Sequence, residues 1–108
     1  MTRDEAEQFV ADYAGTNVEP TLTADEITRC IDQSLIVDSE GRLKTNAYYV
    51  ETVWGTRAVV LAIDMKMAKA SRKVDVSVDG NLIKSTQIQT ALRDLRRSWR
   101  SRMQAGSV

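Results

Sequence analysis

Histidine is missing from this chain of 108 residues, and cysteine occurs only once, as Cys30. Histidine is the commonest general base and the commonest protein ligand of metal ions, so its absence excludes most hydrolytic and metalloenzyme mechanisms. A lone cysteine cannot form an internal disulfide, and it cannot supply a thiolate zinc site, which needs several ligands. We therefore expect no enzymatic activity, no metal or other cofactor, and a reducing compartment.

Long apolar segments are also missing. The longest apolar run, at positions 58–63, has six residues, whereas a helix that crosses a bilayer needs about 20. The first residues are acidic and open a helical pattern, which argues against a signal peptide. The sequence predicts a single domain over residues 1–108 that is made in the cytoplasm and does not enter a membrane.

Net charge is absent because 15 basic residues balance 15 acidic residues, but the two signs are separated along the chain. Residues 1–65 contain 5 basic and 12 acidic side chains, a net charge of −7. Residues 66–108 contain 10 basic and 3 acidic ones, a net charge of +7. Two interpretations stay open: the halves neutralise each other within one molecule, or they bind neighbouring copies or other partners.

Two short helices are predicted in the first third of the chain. The pattern Thr-x-x-Glu occurs at Thr2–Glu5 and at Thr23–Glu26, and it is typical of a capping box at a helix start. The first helix is expected to reach about Ala14, before a polar turn and Pro20. The second helix carries Cys30 on its apolar face, so we expect this thiol to be a small core group.

A long third helix is predicted from a cap at Asn46 towards Ser71. Its expected buried face follows steps of three and four residues: Ala47, Val50, Trp54, Ala58, Leu61, Met65 and Ala68. Within this helix, Gly55 indicates a close approach by another helix or, less often, a functional kink. Asp64 has no second acid or metal ligand beside it, so we expect it to pair with a cation such as Arg57 or Lys66 and assign it no chemistry.

A small β-hairpin is predicted before the last helix, with strands at 74–78 and 82–84 around a turn at 79–81. Because two strands alone are marginally stable, the hairpin is expected to pack on a helix or to reach a neighbouring subunit. It places Asp75 and Asp79 in the candidate protein-interaction surface.

The same segment resembles the start of an EF-hand calcium loop, with oxygen-bearing side chains at Asp75, Ser77 and Asp79. The ninth position is Ile83, which has no side-chain oxygen, and the twelfth is Thr86 where a bidentate glutamate is required. The hairpin explains the same residues, so calcium binding is not expected.

The last helix is expected to begin near Ser85 or Thr86 and to end before a flexible tail at 104–108. Its apolar stripe is Ile88, Leu92, Leu95, Trp99 and Met103. Beside the stripe lie five arginines: Arg93, Arg96, Arg97, Arg100 and Arg102. Three interpretations of these arginines stay open: contacts with nucleic-acid phosphates, a solvated surface, or the anchoring of a protein partner. We favour the protein partner. The predicted fold is mainly α, a bundle of about four helices with a short β-hairpin or extended arm before the last helix.

Residues 50–90 carry a resemblance to a known family. The alanine- and lysine-rich segment 54–70, the turn Val-Asp-Val-Ser-Val-Asp-Gly at 74–80 and the Lys-Ser-Thr-Gln start at 84–87 are similar to the head-tail adaptor proteins of long-tailed bacteriophages. The resemblance implies a structural virion protein without enzymatic activity. Twelve copies would form a ring under the portal protein, a stopper or tail-completion protein would join on the other side, and packaged DNA would pass through the lumen.

A stopper position in the same connector also fits this resemblance. The ring is expected in the virion, whereas the isolated protein is a monomer or an oligomer in this interpretation. The competing interpretation, from another class, is a small nucleic-acid-binding regulator that uses the arginines of the last helix. The zero net charge argues against it, because a dedicated nucleic-acid binder is usually basic.

Overall fold

The protein is mainly α, as the sequence predicts. The computed structural model describes residues 1–74 and 79–104, with side chains described for residues 1–71 and 87–104. In chain order the elements are helix α1 (Arg3–Ala14), helix α2 (Ala24–Asp32), strands β1 (Leu35–Ile36) and β2 (Thr52–Val53), helix α3 (Gly55–Val74) and helix α4 (Asp79–Gln104). Helix α3 packs against each of the other three helices and is the centre of the bundle.

Both predicted capping boxes start helices. The hydroxyl of Thr2 accepts a hydrogen bond from the backbone N–H of Glu5, and the Glu5 carboxylate accepts one from the N–H of Thr2. Thr23 and Glu26 repeat the arrangement at the start of α2. These reciprocal bonds satisfy N–H groups that have no partner within the helix. Helix α1 ends at Ala14, as predicted.

The core lies where α1, α2 and α4 meet α3. Its fully buried side chains include Val10 of α1, Cys30 and Ile31 of α2, and Val59 and Ile63 of α3. Desolvation raises the pKa of the Cys30 thiol to about 11, so this group stays a protonated core residue at neutral pH. The prediction that Cys30 lies in the core is confirmed.

The predicted start of the third helix is wrong. Helix α3 begins at Gly55, because the preceding segment is bonded elsewhere: Thr52 and Val53 pair antiparallel with Ile36 and Leu35. In addition, the N–H of Val53 donates to the carbonyl of Met1 at 2.8 Å. Residues 46–54 therefore form turns and a strand, and Ala47 and Val50 belong to no helical face.

Gly55 nevertheless marks a close approach, at the first residue of α3. A β-carbon at this position would lie 2.8 Å from Cε of Met1 and 3.0 Å from Cδ1 of Phe9. The approach is made by the N-terminal residue and α1, and a β-carbon at position 55 would displace the flexible end of the Met1 side chain.

The predicted hairpin at 74–84 is also wrong. Helix α3 continues through Val74, and α4 includes residues 82–84, where the second strand was expected; residues 75–78 lie outside the described part of the chain. An acidic residue such as Asp79 suits the first turn of a helix, where it faces the positive end of the helix dipole. An EF-hand loop cannot form over residues 79–86, since this stretch is helical. The small antiparallel pair lies instead between α2 and α3.

Candidate protein-docking surface

Helix α4 places its apolar stripe on the core, and this orientation decides where its arginines lie. Leu92 and Trp99 are buried, and Ile88, Leu95 and Met103 are partly buried against the core. The predicted face of the last helix is therefore confirmed, although the helix begins at Asp79 and not near Ser85. The opposite face of α4 is turned to solvent.

Arg96 differs from the other arginines of α4 because it is paired with an acidic residue of the same molecule. Its Nε donates to the Oδ1 atom of Asp64 on α3, and both side chains are only partly exposed. The prediction that Asp64 forms an ion pair is confirmed, but its partner is neither Arg57 nor Lys66. Arg57 instead donates to the carbonyl of Gln33, at 3.1 Å. Arg96 thus links α4 to α3 and has a structural role.

Arg102 covers an aromatic cluster. Its guanidinium lies 4.5 Å from the ring centre of Trp99, within the range of a cation–π contact. Trp99 in turn contacts Phe9 at 5.6 Å in an edge-to-face arrangement and Tyr13 at 5.1 Å, measured between ring centres. This cluster joins the C-terminal end of α4 to α1.

Three arginines remain on the solvent face: Arg93, Arg97 and Arg100, here called the arginine stripe. All three are exposed, and among the described residues none has a carboxylate within ion-pair distance. Their spacing of four and three residues puts them in one row along about 10 Å of helix. Together with Arg96, Ser101 and Gln104 they line an open groove of about 490 Å³. A row of unpaired guanidinium groups offers many hydrogen-bond donors to carboxylates or phosphates.

The two predicted aspartates do not join this groove. Asp79 is the first residue of α4, 14 residues before Arg93, which corresponds to about 21 Å along the helix. Asp75 lies outside the described residues. The seven predicted interaction residues therefore do not form one surface.

The charge separation along the sequence is partly neutralised within the molecule. Where side chains are described, two ion pairs join the acidic half to the basic half: Asp64 with Arg96, and Glu26 with Lys69 at 2.5 Å. The Lys69 contact lowers the pKa of Glu26 to about 2. On α1, however, Asp4 and Glu7 are exposed and have no cation partner among the described residues. The interpretation that the two halves neutralise each other within one molecule thus holds in part. Binding of neighbouring copies or other partners stays a prediction.

Residues 36–50 form a hydrogen-bonded loop that the sequence pattern does not predict, here called the apolar loop. Its anchor is Asp38, whose side chain is 1% exposed. The Asp38 carboxylate accepts hydrogen bonds from the backbone N–H groups of Glu40, Arg42 and Val50 and from Nε of Arg42. Desolvation acts to raise the pKa of Asp38, but these bonds together outweigh it and hold the pKa at about 2.

A second bond closes the same loop. The hydroxyl of Tyr49 donates to the carbonyl of Ile36 at 2.5 Å and accepts from the N–H of Thr52 at 3.2 Å. The loop nevertheless displays exposed apolar side chains: Ile36, Val37, Leu43, Tyr48 and Val50. Nothing in the periodicity of the sequence reveals it, because its apolar residues follow neither a helical nor a strand spacing.

No group of three or more acidic, cysteine or histidine side chains in the described part of the chain is placed to hold a metal ion. Within the same residues, no helix is long and apolar enough to cross a membrane. Comparison of the sequence with protein-family models, with curated proteins and with solved structures gave no match. The resemblance to head-tail adaptors therefore stays a prediction.

Proposed function

We propose that this protein is a structural, non-enzymatic connector subunit of a bacteriophage virion, which forms a ring between the portal protein and the stopper or tail. The arginine stripe is its docking surface for an acidic protein partner. The observation that carries this proposal is a contrast on α4. Arg96 is paired inside the molecule, whereas Arg93, Arg97 and Arg100 have no carboxylate partner among the described residues.

Exposed arginines in a row on a rigid helix suit protein docking for physical reasons. Arginine is enriched in interfaces and pairs with carboxylates through two parallel hydrogen bonds. The stripe lies on a helix that is anchored to the core by the buried residues Leu92 and Trp99. The helix backbone is therefore already ordered, and binding costs little conformational entropy. The exposed acidic side chains of α1 would face basic side chains on a neighbouring copy. Such pairing favours head-to-tail contacts around a closed ring of about twelve subunits.

A nucleic-acid-binding regulator is the second candidate, because the unpaired stripe would also suit phosphates. The acidic residues Asp4 and Glu7 and the zero net charge would weaken such binding. In the proposed ring, by contrast, packaged DNA only passes through the lumen.

The proposal is tested by capture of the portal protein. The full chain is co-expressed with the tagged portal of the same phage, either unchanged or with Arg93, Arg97 and Arg100 replaced by glutamate. We expect the triple variant to fold, since exposed charges contribute little to stability, and to lose portal binding because like charges then face each other.

A matched control changes the same kind of charge elsewhere. Arg29 is exposed on α2, and Arg29→Glu should leave portal binding intact. A folded triple variant that is captured as well as the unchanged chain would refute the assignment of the stripe. Loss of binding in the control as well would show that overall charge, and not the stripe, decides capture.

A further inference from the structure

The apolar loop is fastened by the hydrogen bonds of Asp38, yet it exposes Leu43 to solvent. Leu43 is 61% exposed, and it lies in the segment that the buried Asp38 carboxylate ties down from both sides, at Arg42 and at Val50. Exposing a branched aliphatic side chain on an ordered loop forgoes the stabilisation that burial would give. A rigid loop also loses little conformational entropy when it docks. These two properties are typical of an interaction site.

A small groove elsewhere on the surface has the complementary properties. It lies between α1 and α2, has a volume of about 150 Å³, and is lined by Glu7, Ala24, Ile27 and Thr28. Engineered cavities of about this volume accept a molecule of the size of benzene. The Ala24 and Ile27 side chains supply an apolar surface, and the Glu7 carboxylate supplies a negative charge at the edge.

The charges around the two features match. Leu43 is followed by Lys44, which is exposed. The groove has Glu7 in its wall, and Asp25 follows Ala24 on α2 with no cation partner among the described residues. The aliphatic Leu43 therefore suits the apolar surface of the groove, and the neighbouring Lys44 suits the acidic residue at its edge.

We infer that Leu43 of one subunit inserts into this groove between α1 and α2 on a second copy of the chain. Lys44 then lies beside Glu7 of that copy. The contact is heterologous, because it joins two different surfaces of identical subunits, and such contacts generate rings or filaments. The inference deepens the proposed function, since it names a contact between neighbouring subunits of the ring, and it is independent of the arginine stripe. A single inserted side chain buries much less than a stable dimer interface, so each contact is weak in isolation.

Site-directed cross-linking tests the contact in the full chain. Protein carrying Leu43→Cys is mixed with protein carrying Thr28→Cys, and a short bismaleimide is added at high protein concentration. The native Cys30 is buried and its pKa is raised to about 11, so it does not compete for the reagent. In the control, protein carrying Val18→Cys is mixed with protein carrying Thr28→Cys. We expect the Leu43→Cys mixture to form the cross-linked mixed dimer several-fold faster than this control. Val18 is 64% exposed and lies in a different loop.

A charge exchange adds a second criterion. Lys44→Glu in the Leu43→Cys chain, or Glu7→Lys in the Thr28→Cys chain, should each reduce cross-linking several-fold, and combining the two should restore it. Equal cross-linking with the Val18→Cys control, or no effect of either charge change, would overturn the inference. If portal capture still depends on the arginine stripe in that case, the connector proposal stands without this contact. If the cross-link forms but portal capture is independent of the stripe, the self-contact stands and the docking assignment fails.

Discussion

Arg96 on α4 donates its Nε hydrogen to the carboxylate of Asp64 on α3, and this single pair separates one arginine of the last helix from its neighbours. Arg97, the next residue, points to solvent. Residues that look equivalent in the sequence therefore have different roles, one structural and one available to a partner.

This difference predicts unequal effects of two adjacent substitutions. Arg96→Ala should lower the free energy of unfolding by about 0.5 to 1 kcal/mol, because a partly exposed ion pair contributes that much at best. Arg97→Ala should change it by less than about 0.5 kcal/mol. Urea unfolding followed by circular dichroism measures both values. Equal losses in the two variants would show that the Arg96–Asp64 pair does not stabilise the contact between α3 and α4.

Lys66 predicts a larger effect. Its ammonium group is buried and donates to the carbonyls of Ala14 and Gly15, at 2.8 Å and 2.6 Å, which closes the C-terminal end of α1. Burial lowers the pKa of Lys66. Lys66→Met removes both hydrogen bonds. The Gly15 carbonyl keeps its bond from the N–H of Val18, but the Ala14 carbonyl loses the Lys66 donor, and this should cost about 1 to 3 kcal/mol of stability.

The matched control for that variant is Lys44→Met, which changes an exposed lysine and should stay within about 0.5 kcal/mol of the unchanged protein. Comparable urea midpoints for the two variants would contradict the capping role of Lys66.

The lowered pKa of Asp38 predicts that the stability of the folded protein depends on pH. This pKa is about 2 in the folded protein and about 4 in an unfolded chain. The folded state therefore favours the ionised form, and the resulting stabilisation is complete above about pH 4 and is lost as the pH falls towards 2. Asp38→Asn lacks this titration. The difference in melting temperature between the unchanged protein and Asp38→Asn should be largest near neutral pH and should shrink below about pH 4. A difference that stays constant across this range would contradict the assignment.

The sequence predicted the helical class, α1, α2 and the buried face of α4, because capping boxes and apolar periodicity are local signals. It failed at the start of α3, where Val53 is tied to Met1 by a contact across 52 residues that no local pattern reveals. It failed at residues 79–84 as well, because an Asp-Gly pair favours a turn in isolation, whereas these residues belong to α4.

The candidate site was predicted in part. The arginines of α4 were found by composition, but their division into paired and unpaired residues depends on Asp64, which lies 32 positions away. The apolar loop escaped prediction because its anchor, Asp38, looks like an ordinary polar turn residue until its three backbone donors are seen.

Binding to DNA offers a further prediction, because it distinguishes the two candidate functions. If three arginines contacted phosphates, the logarithm of the binding constant would fall against the logarithm of salt concentration with a slope of roughly −2.7. For a connector we expect only weak, sequence-independent binding to duplex DNA at physiological salt. Fluorescence anisotropy with labelled duplexes measures it. Tight binding that depends on base sequence and is abolished by the triple glutamate variant would favour the regulator.

Electron microscopy of particles made in phage-producing cells tests docking through the arginine stripe most directly. The chromosomal or phage copy of the gene is replaced by one that encodes glutamate at Arg93, Arg97 and Arg100, and circular dichroism of the purified variant confirms that it folds. We predict filled or partly filled heads that lack tails, and tailed particles with the Arg29→Glu control. Normal tailed particles from the folded triple variant would contradict the account.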